Sequence, residues 1–363
     1  MPAGPALLAV YAAMDKLIQT HFAMMDALRR AQAEALGLLG FGPAECSYQV
    51  IASGPHWLLR KYSSSASRRP PLLIVAAPIK RPYIWDLAPH RSIVRLCLDQ
   101  PLSVYLLEWL APAGEAQGAG LADYAGSAIS QCVAIVRNEP EGQRPFLAGH
   151  SLGGTLAAIY CALEPQSARG LVLVSAPLCF APESSQFRDA LVSLLPPRLL
   201  ADGPVPGSLL SHASAMASPG SFVWARLRDA LLSSQDPSAM DIHSRVERWA
   251  LDEVPLPGPL VIDIIQMLYR EDRFFKGSLS IRDQQLGPSR LCAPVLAIVN
   301  AADEVVPLAT VKPFLDSVPG NYARIIEYPG EAGAGLQHLA ALSGAQAHAR
   351  IWPQVFTWLQ GLS

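Results

Sequence analysis

Charge is scarce in this 363-residue chain: 16% of its residues are Asp, Glu, Lys or Arg, and they nearly cancel, leaving a formal net charge of −2. A near-neutral surface offers no basic face for nucleic acid and no field of either sign, so an anionic substrate would have to be held by local Lys or Arg side chains. Cysteine is sparse too. The six cysteines (Cys46, Cys97, Cys132, Cys161, Cys179 and Cys292) include no Cys-x-x-Cys pair, which argues against a disulfide framework or a zinc site and for reduced thiols. No run of about 18 or more apolar residues occurs, so no membrane span is expected. The apolar patch from Ala6 to Met14 has no basic region before it and no clear cleavage site after it. It does not read as a secretory signal, and a cytoplasmic protein is the expectation.

What the chain has in quantity is apolar residues, 51% of the total, enough for two ordinary domains or for one large α/β domain carrying an insertion. From Leu7 to Leu39, apolar side chains recur at helical spacing (Leu7, Tyr11, Met14, Ile18, Met25, Leu28, Leu39) up to the breaker Gly40-Phe41-Gly42-Pro43. Residues 1–43 are therefore read as an N-terminal amphipathic helical segment. It packs on the body of the protein, or else makes a homodimer or particle-surface contact. From Tyr48 the pattern changes. Short apolar runs at Tyr48–Ile51, Trp57–Lys61, Leu72–Ala76, Ser103–Leu107, Phe146–Ala148, Leu171–Val174, Val295–Val299 and Arg324–Tyr328 are separated in several places by helical spacing, as at Leu121–Arg137 and Leu152–Leu163. Ser63 to Pro70 reads as a polar loop. Continuous apolar strands alternating with helices predict a mostly parallel sheet with helices on both faces, over residues 44–363. The alternation breaks between about 181 and 287, a stretch read as a cap inserted over the C-terminal edge of the sheet.

Gly149-His150-Ser151-Leu152-Gly153 follows the apolar run Pro145–Ala148 and precedes a helical stretch. It matches G-x-S-x-G, the strained strand-to-helix turn that presents a serine nucleophile in α/β-hydrolase folds, where small residues are needed two before and two after the serine. A serine hydroxyl is a weak nucleophile unless a histidine takes its proton and an acid orients that histidine, and in this fold the order is serine, acid, histidine. After Ser151, the run Pro294–Asn300 ends at Asp303, where a strand-end acid belongs, with Glu304 as its rival. An ordinary helix N-cap is the alternative role for Asp303. His338 and His348 are the histidines downstream; His338 follows the last strand, whereas His348 falls in a terminal helix and reads as a surface residue. His150 should point away from the nucleophile and serve packing, and His90 reads as a loop histidine. The oxyanion of an acyl-transfer intermediate needs two backbone donors. These are expected from Leu152, directly after the serine, and from Ile79 in Ala77-Pro78-Ile79, because Pro78 has no N–H.

Several ordered blocks carry a family resemblance. Pro78-Ile79-Lys80-Arg81-Pro82-Tyr83-Ile84-Trp85-Asp86-Leu87 with Ser92-Ile93-Val94-Arg95 resembles the region after the third strand of polyhydroxyalkanoate synthases. Trp249 through Pro257-Gly258 and then Leu268-Tyr269-Arg270-Glu271-Asp272-Arg273 resembles a signature of that family's cap. Asp303-Glu304-Val305-Val306-Pro307 and His338-Leu339-Ala340 resemble its aspartate and histidine blocks, so the likeness runs from about Tyr48 to about Gly344. There are three departures. The family uses cysteine where this chain has Ser151, its histidine after the aspartate is Glu304 here, and its proline- and tryptophan-rich continuation after His338 is missing.

The resemblance implies an α/β hydrolase with a Ser151–Asp303–His338 set and substrates that are acyl esters, acyl thioesters or polyester. A thiolate suits polymer building from hydroxyacyl-CoA, whereas a serine ester is more naturally resolved by water. The expectation is thus a serine hydrolase acting through an acyl-enzyme on hydroxyalkanoate polymers, oligomers or hydroxyacyl-CoA, with a serine-based synthase-like acyltransferase as the alternative. A third reading is a non-catalytic partner docking on a synthase or a polymer granule through the N-terminal helix. The expected chemistry calls for no metal and no organic cofactor.

Overall fold

Apolar runs of five to seven residues, too short for stable helices and bounded by turn residues, form the strands that organise this chain. The computed structural model describes residues 5–62, 69–139, 142–195, 203–320 and 322–362, with side chains from residue 16 onward. Residues 63–68 of the expected polar loop lie outside the described residues. In chain order the strands are β1 (Tyr48–Gly54), β2 (Trp57–Tyr62), β3 (Pro71–Val75), β4 (Asp86–Ala88), β5 (Arg91–Ser92), β6 (Ser103–Trp109), β7 (Phe146–His150), β8 (Gly170–Val174), β9 (Leu279–Ile281), β10 (Gln284–Leu286), β11 (Val295–Asn300) and β12 (Ala323–Tyr328).

Eight of them form one sheet in the order β1-β2-β6-β3-β7-β8-β11-β12. From β6 to β12 every neighbour is parallel, and only the β1–β2 and β2–β6 pairs are antiparallel. The strands coincide with the eight apolar runs read from the sequence. β4–β5 and β9–β10 are small separate hairpins.

The helices are α1 (Pro5–Leu36), α2 (Ile93–Leu98), α3 (Ile129–Asn138), α4 (Leu152–Leu163), α5 (Gln186–Leu194), α6 (Gly207–Ala217), α7 (Ala225–Ser233), α8 (Pro237–Leu251), α9 (Gly258–Asp263), α10 (Lys312–Asp316), α11 (Ala340–Ser343) and α12 (Trp352–Gly361). Strand side chains alternate between the two faces of the sheet, as the period of two requires. Leu73, Val75, Leu147, Leu171 and Leu173 pack against Ile129 and Cys132 of α3, Leu156 of α4 and Phe314 of α10. Leu72, Ile74, Phe146, Ala148 and Val172 face the other way, onto Ile93 and Val94 of α2 and Trp352 and Val355 of α12. Every residue of α4 is buried, which fits a helix apolar all round, enclosed between the sheet and its neighbours. The result is an α/β-hydrolase architecture: a mostly parallel sheet covered on both faces.

Between β8 and β11 the chain leaves the sheet and builds α5 to α9 and the β9–β10 hairpin. Side chains from this excursion, among them Phe187, Leu210 and Trp249, share one cavity with Ala76, Ala77 and Ser151, which follow the C-terminal ends of β3 and β7. In open α/β sheets ligands bind outside these carboxyl ends.

Helix α1 docks on the excursion. Asp26 accepts the Ser208 N–H at 2.8 Å, the Phe22 carbonyl accepts the Ser208 hydroxyl at 2.8 Å, and Arg29 donates to the Ala250 carbonyl and to Glu253. The packed face keeps part of the apolar stripe expected from the sequence: Ile18 and Met25 are half-buried, whereas Leu28, and Leu39 beyond the helix, are exposed and the small Ala33 is buried. Leu7, Tyr11 and Met14 lie where side chains are not described. Polar contacts of Asp26 and Arg29, absent from a hydrophobic-period argument, add to the docking of this helix.

The two-sided burial of the central strands makes a simple stability contrast. Leu147, within β7, is 0% exposed, whereas Leu38 is 91% exposed. Leu147→Ala should cost about 2–5 kcal/mol of unfolding free energy, and Leu38→Ala should stay within about 0.5 kcal/mol, both read by urea denaturation.

Candidate active site

Ser151 stands alone between the last residue of β7 and the first of α4, with φ 53° and ψ −133°. Left-handed φ is strained for a non-glycine residue and recurs where structure is pre-organised for chemistry. The surrounding backbone holds it there. Ser151 N–H donates to the Val174 carbonyl at 3.0 Å, and the Ser151 carbonyl accepts from the N–H groups of Gly154 at 2.9 Å and Thr155 at 3.1 Å. The turn also depends on missing side chains. A Cβ at Gly149 would strike the backbone of Gly153 and Gly154, and one at Gly153 would strike the Val75 and Ala76 carbonyl groups.

Asp303 and His338 arrive from the loops after β11 and β12, the adjacent parallel strands at the far edge of the sheet. His338 Nδ1 lies 2.8 Å from Asp303 Oδ2, and both residues are buried. The other carboxylate oxygen of Asp303 accepts the N–H groups of Val305 at 2.9 Å and Val306 at 3.1 Å. An ionised carboxylate only accepts, so Nδ1 carries the proton and a neutral His338 ring keeps Nε2 as its basic nitrogen. Burial alone would raise the Asp303 carboxyl. The facing His338 charge and hydrogen bond, with the Val306 and Val305 amides, outweigh burial and hold it below the ordinary carboxylate value.

Glu304 does something else: its Oε2 accepts the Ser221 hydroxyl at 2.7 Å, tying this loop to the excursion. Ser151, His338, Leu152 and Ile79 all line the same cavity, of about 520 Å³. Leu152 opens α4, so its N–H belongs to the first-turn donors that have no partner within the helix. The turn carrying Ile79 is braced from both sides. Trp109 Nε1 donates to the Ala76 carbonyl at 2.6 Å, and the Val254 N–H donates to the Ile79 carbonyl at 3.0 Å.

His150 packs against the histidine opposite. Its ring lies 4.7 Å from that of His338, centroid to centroid, and its Nε2 donates to the His338 backbone carbonyl at 2.8 Å. Burial, reinforced by the neighbouring His338 charge, pushes the His150 imidazole down to about 3, so it stays neutral. His348 is half-buried, and not a plain surface residue: its Nε2 donates to the Leu342 carbonyl at 2.6 Å. His90 sits exposed at the β4–β5 hairpin turn.

The cavity wall is mainly apolar, with Phe22 and Met25 of α1, Phe187, Leu210, Trp249 and Tyr269 on it. Arg29, Lys80, Arg81 and Arg226 interrupt it, and two of them meet in one cluster. Lys80 and Arg29 both donate to Glu253 Oε1, at 2.8 and 3.0 Å, and both reach the Ala250 carbonyl. Burial lowers the Lys80 ammonium to about 8 although Glu253 faces it. Among the described residues, no group of three or more His, Cys, Asp or Glu is placed to hold a metal ion. No helix among them is long and apolar enough to cross a membrane.

Sequence patterns did not point to His150 as a brace for His338, to α1 as a cavity wall, or to the Lys80–Glu253–Arg29 cluster. The first had a signal in its adjacency to Ser151. The other two join residues far apart in the chain, for which periodicity carries none.

Fold and cavity define an α/β hydrolase, and comparisons with known proteins agree. A family model described as serine aminopeptidase, S33, matches residues 120–218. Two solved structures share the architecture at low identity: a monoacylglycerol lipase from Paleococcus ferrophilus (17% identical, TM-score 0.51, covering 85% of this chain and 99% of that one) and a thermophilic esterase from Thermogutta terrifontis (16%, TM-score 0.51, 88% and 99%).

More specifically, the chain is similar to subunits of poly(3-hydroxyalkanoate) polymerases over most of its length. It is 32% identical over 292 residues to the poly(3-hydroxyalkanoate) polymerase subunit PhaC of Haloferax mediterranei, covering 79% of this chain and 58% of that protein. It is 27% identical over 353 residues to the subunit of the same name from Allochromatium vinosum, covering 95% and 97%. This chain spans about 60% of the length of the haloarchaeal relatives it matches.

The neutral, buried His150 gives a pH test. Its folded value, about 3, lies below the ordinary 6.5. The unfolded chain therefore binds the extra proton first, and stability falls as pH drops from about 6.5 toward 3. His150→Gln, which keeps a donor for the His338 carbonyl, should lose less unfolding free energy than the unaltered protein between pH 7 and pH 5. Urea titrations at the two pH values measure this, and equal losses would contradict it.

Proposed function

We propose that this protein is a serine acyl hydrolase that cleaves a hydroxyacyl ester or thioester through an acyl-enzyme on Ser151. The observation that supports the reading is that a strained Ser151, the Asp303-bound His338, Leu152 and Ile79 all line one cavity. In this reading Ser151 Oγ attacks the substrate carbonyl while its proton passes to His338 Nε2, and Asp303 holds the resulting imidazolium. The amides of Leu152 and Ile79 receive the oxyanion. Collapse breaks the bond to the leaving thiolate or alkoxide, which takes the proton from His338. Water then repeats the sequence: His338 takes its proton, hydroxide adds to the acyl ester, and Ser151 leaves with the proton restored.

The apolar wall suits the acyl part of the substrate, and the excursion between β8 and β11, here read as a cap over about 181–287, would select it. Similarity to polymerase subunits favours hydroxyacyl groups and supports a second reading, in which the hydroxyl of another hydroxyacyl unit takes the place of water and polyester grows. Hydrolysis is preferred because Ser151 is partly exposed in its cavity. An oxygen ester on serine also carries less acyl-transfer potential than a thioester on the cysteine that the synthase resemblance implies.

The test is incubation with 3-hydroxybutyryl-CoA and, separately, with a short hydroxybutyrate oligomer, following free CoA, free acid and polymer. Free acid is expected, and Ser151→Ala should lower its formation at least ~10³-fold while the variant stays folded. CoA release with polymer and little free acid would overturn hydrolysis in favour of the synthase reading. Undiminished turnover in Ser151→Ala would overturn both.

A further inference from the structure

Outside the site lies a second carboxylate–histidine pair. Asp229 of α7 and His243 of α8 are both buried, with His243 Nδ1 2.9 Å from Asp229 Oδ2. Asp229 also accepts two backbone N–H groups from the loop that leads to His338: Gly333 at 2.7 Å on Oδ1 and Gly335 at 2.9 Å on Oδ2. That loop needs holding. Gly330, Gly333 and Gly335 all have φ between 77° and 79°, a conformation bought with glycines that leave the free chain many alternatives.

Anchors on the sheet side fix the ends of the loop. Asn300 donates to the Gln337 carbonyl at 2.7 Å, Tyr328 to Glu331 at 2.6 Å, and Gln337 to the Glu331 carbonyl at 2.7 Å. The middle of the loop is held from the cap helices. A crevice of about 480 Å³, lined by Trp224, Arg228, Asp229, Glu331, Asp303 and His338, lies between α7 and the loops of the acid and the histidine. The bonds of Asp229 cross beside that gap.

We propose that Asp229, held by His243, is a positioning residue for His338, so that the seating of the α7–α8 pair determines whether the histidine is aligned with Ser151. The assignment rests on the acyl-enzyme reading above. Asp229 touches neither Ser151 nor the cavity that holds it. It acts through the two glycine amides, and its carboxylate is needed because both oxygens accept from the loop. An amide at this position can satisfy one glycine only: whichever way it is turned, its NH₂ faces the N–H of the other.

The test is the saturating rate constant with which a fluorophosphonate labels Ser151, together with kcat and KM on a hydroxyacyl ester. For D229N, labelling and kcat should fall at least ~10-fold in parallel, with KM changed less than about threefold, in protein shown by circular dichroism to be folded. His243→Phe keeps both glycine bonds but removes the support of the carboxylate, and should shift the same quantities in the same direction by less. A purely structural part would lower Tm and leave the rate constants of the folded enzyme alone. Folded D229N that labels and turns over at the unaltered rate overturns the proposal. If D229N does not fold, His243→Phe decides: a fall in labelling and kcat supports the proposal, and unchanged rates overturn it. Failure of the unaltered protein to label at Ser151 would instead sink the acyl-enzyme reading itself.

Discussion

Everything at this site depends on how closely the start of α4 approaches the ends of β3 and β7. Gly149, Gly153 and Gly154 leave no side chain in that junction, so the backbone turns through the left-handed Ser151 and enters a fully buried helix. That single approach sets the serine at the sheet edge and puts the first N–H groups of α4 beside it. The approach is stabilised from below: Leu156 and Ala157 bury against strand residues such as Leu147 and Leu173, so the strained turn cannot relax without lifting the helix from the sheet. Parallel strand order does the rest. β11 and β12 end at the same edge as β7, which joins His338 to Asp303 and puts His338 on the cavity that holds Ser151, more than 150 residues earlier in the chain.

The second layer of organisation is the collar around the cavity. Glu253, near the end of α8, joins Arg29 of α1 to Lys80 of the turn after β3. Asp229, in turn, joins α7 to the histidine loop. A pair that is buried and shared in this way contributes less to net stability than to geometry, because desolvation offsets much of the Coulomb attraction. The cap helices and α1 are therefore parts of the site's framework as well as its walls. An apolar wall with a polar collar is compatible with the acyl substrate proposed above.

Fold and site were legible in the sequence to different depths. The eight apolar runs gave the eight strands of the main sheet, because continuous Val, Leu and Ile runs between turn residues have few other uses. Asp303 and His338 could be chosen because strand ends and chain order constrain them, and the structure brings the two into contact. Helix α1 was harder. Of its large apolar residues Leu28 lies exposed while Met25 reaches the cavity, and Asp26 and Arg29 add polar contacts with the cap. Asp229 and His243 carry no sequence signal at all. Their importance comes from the glycine loop that Asp229 meets, just over a hundred residues later in the chain.

The central claim is a covalent acyl group on Ser151. Its most direct measurement is rapid acid quenching of the protein with 3-hydroxybutyryl-CoA, followed by peptide mass spectrometry of the segment spanning Gly149 to Leu163. The account expects that peptide to carry one hydroxybutyryl group on Ser151 that forms and decays at the rate of turnover. Turnover with no acyl group on Ser151, or with the group on one of the six cysteines instead, would contradict it.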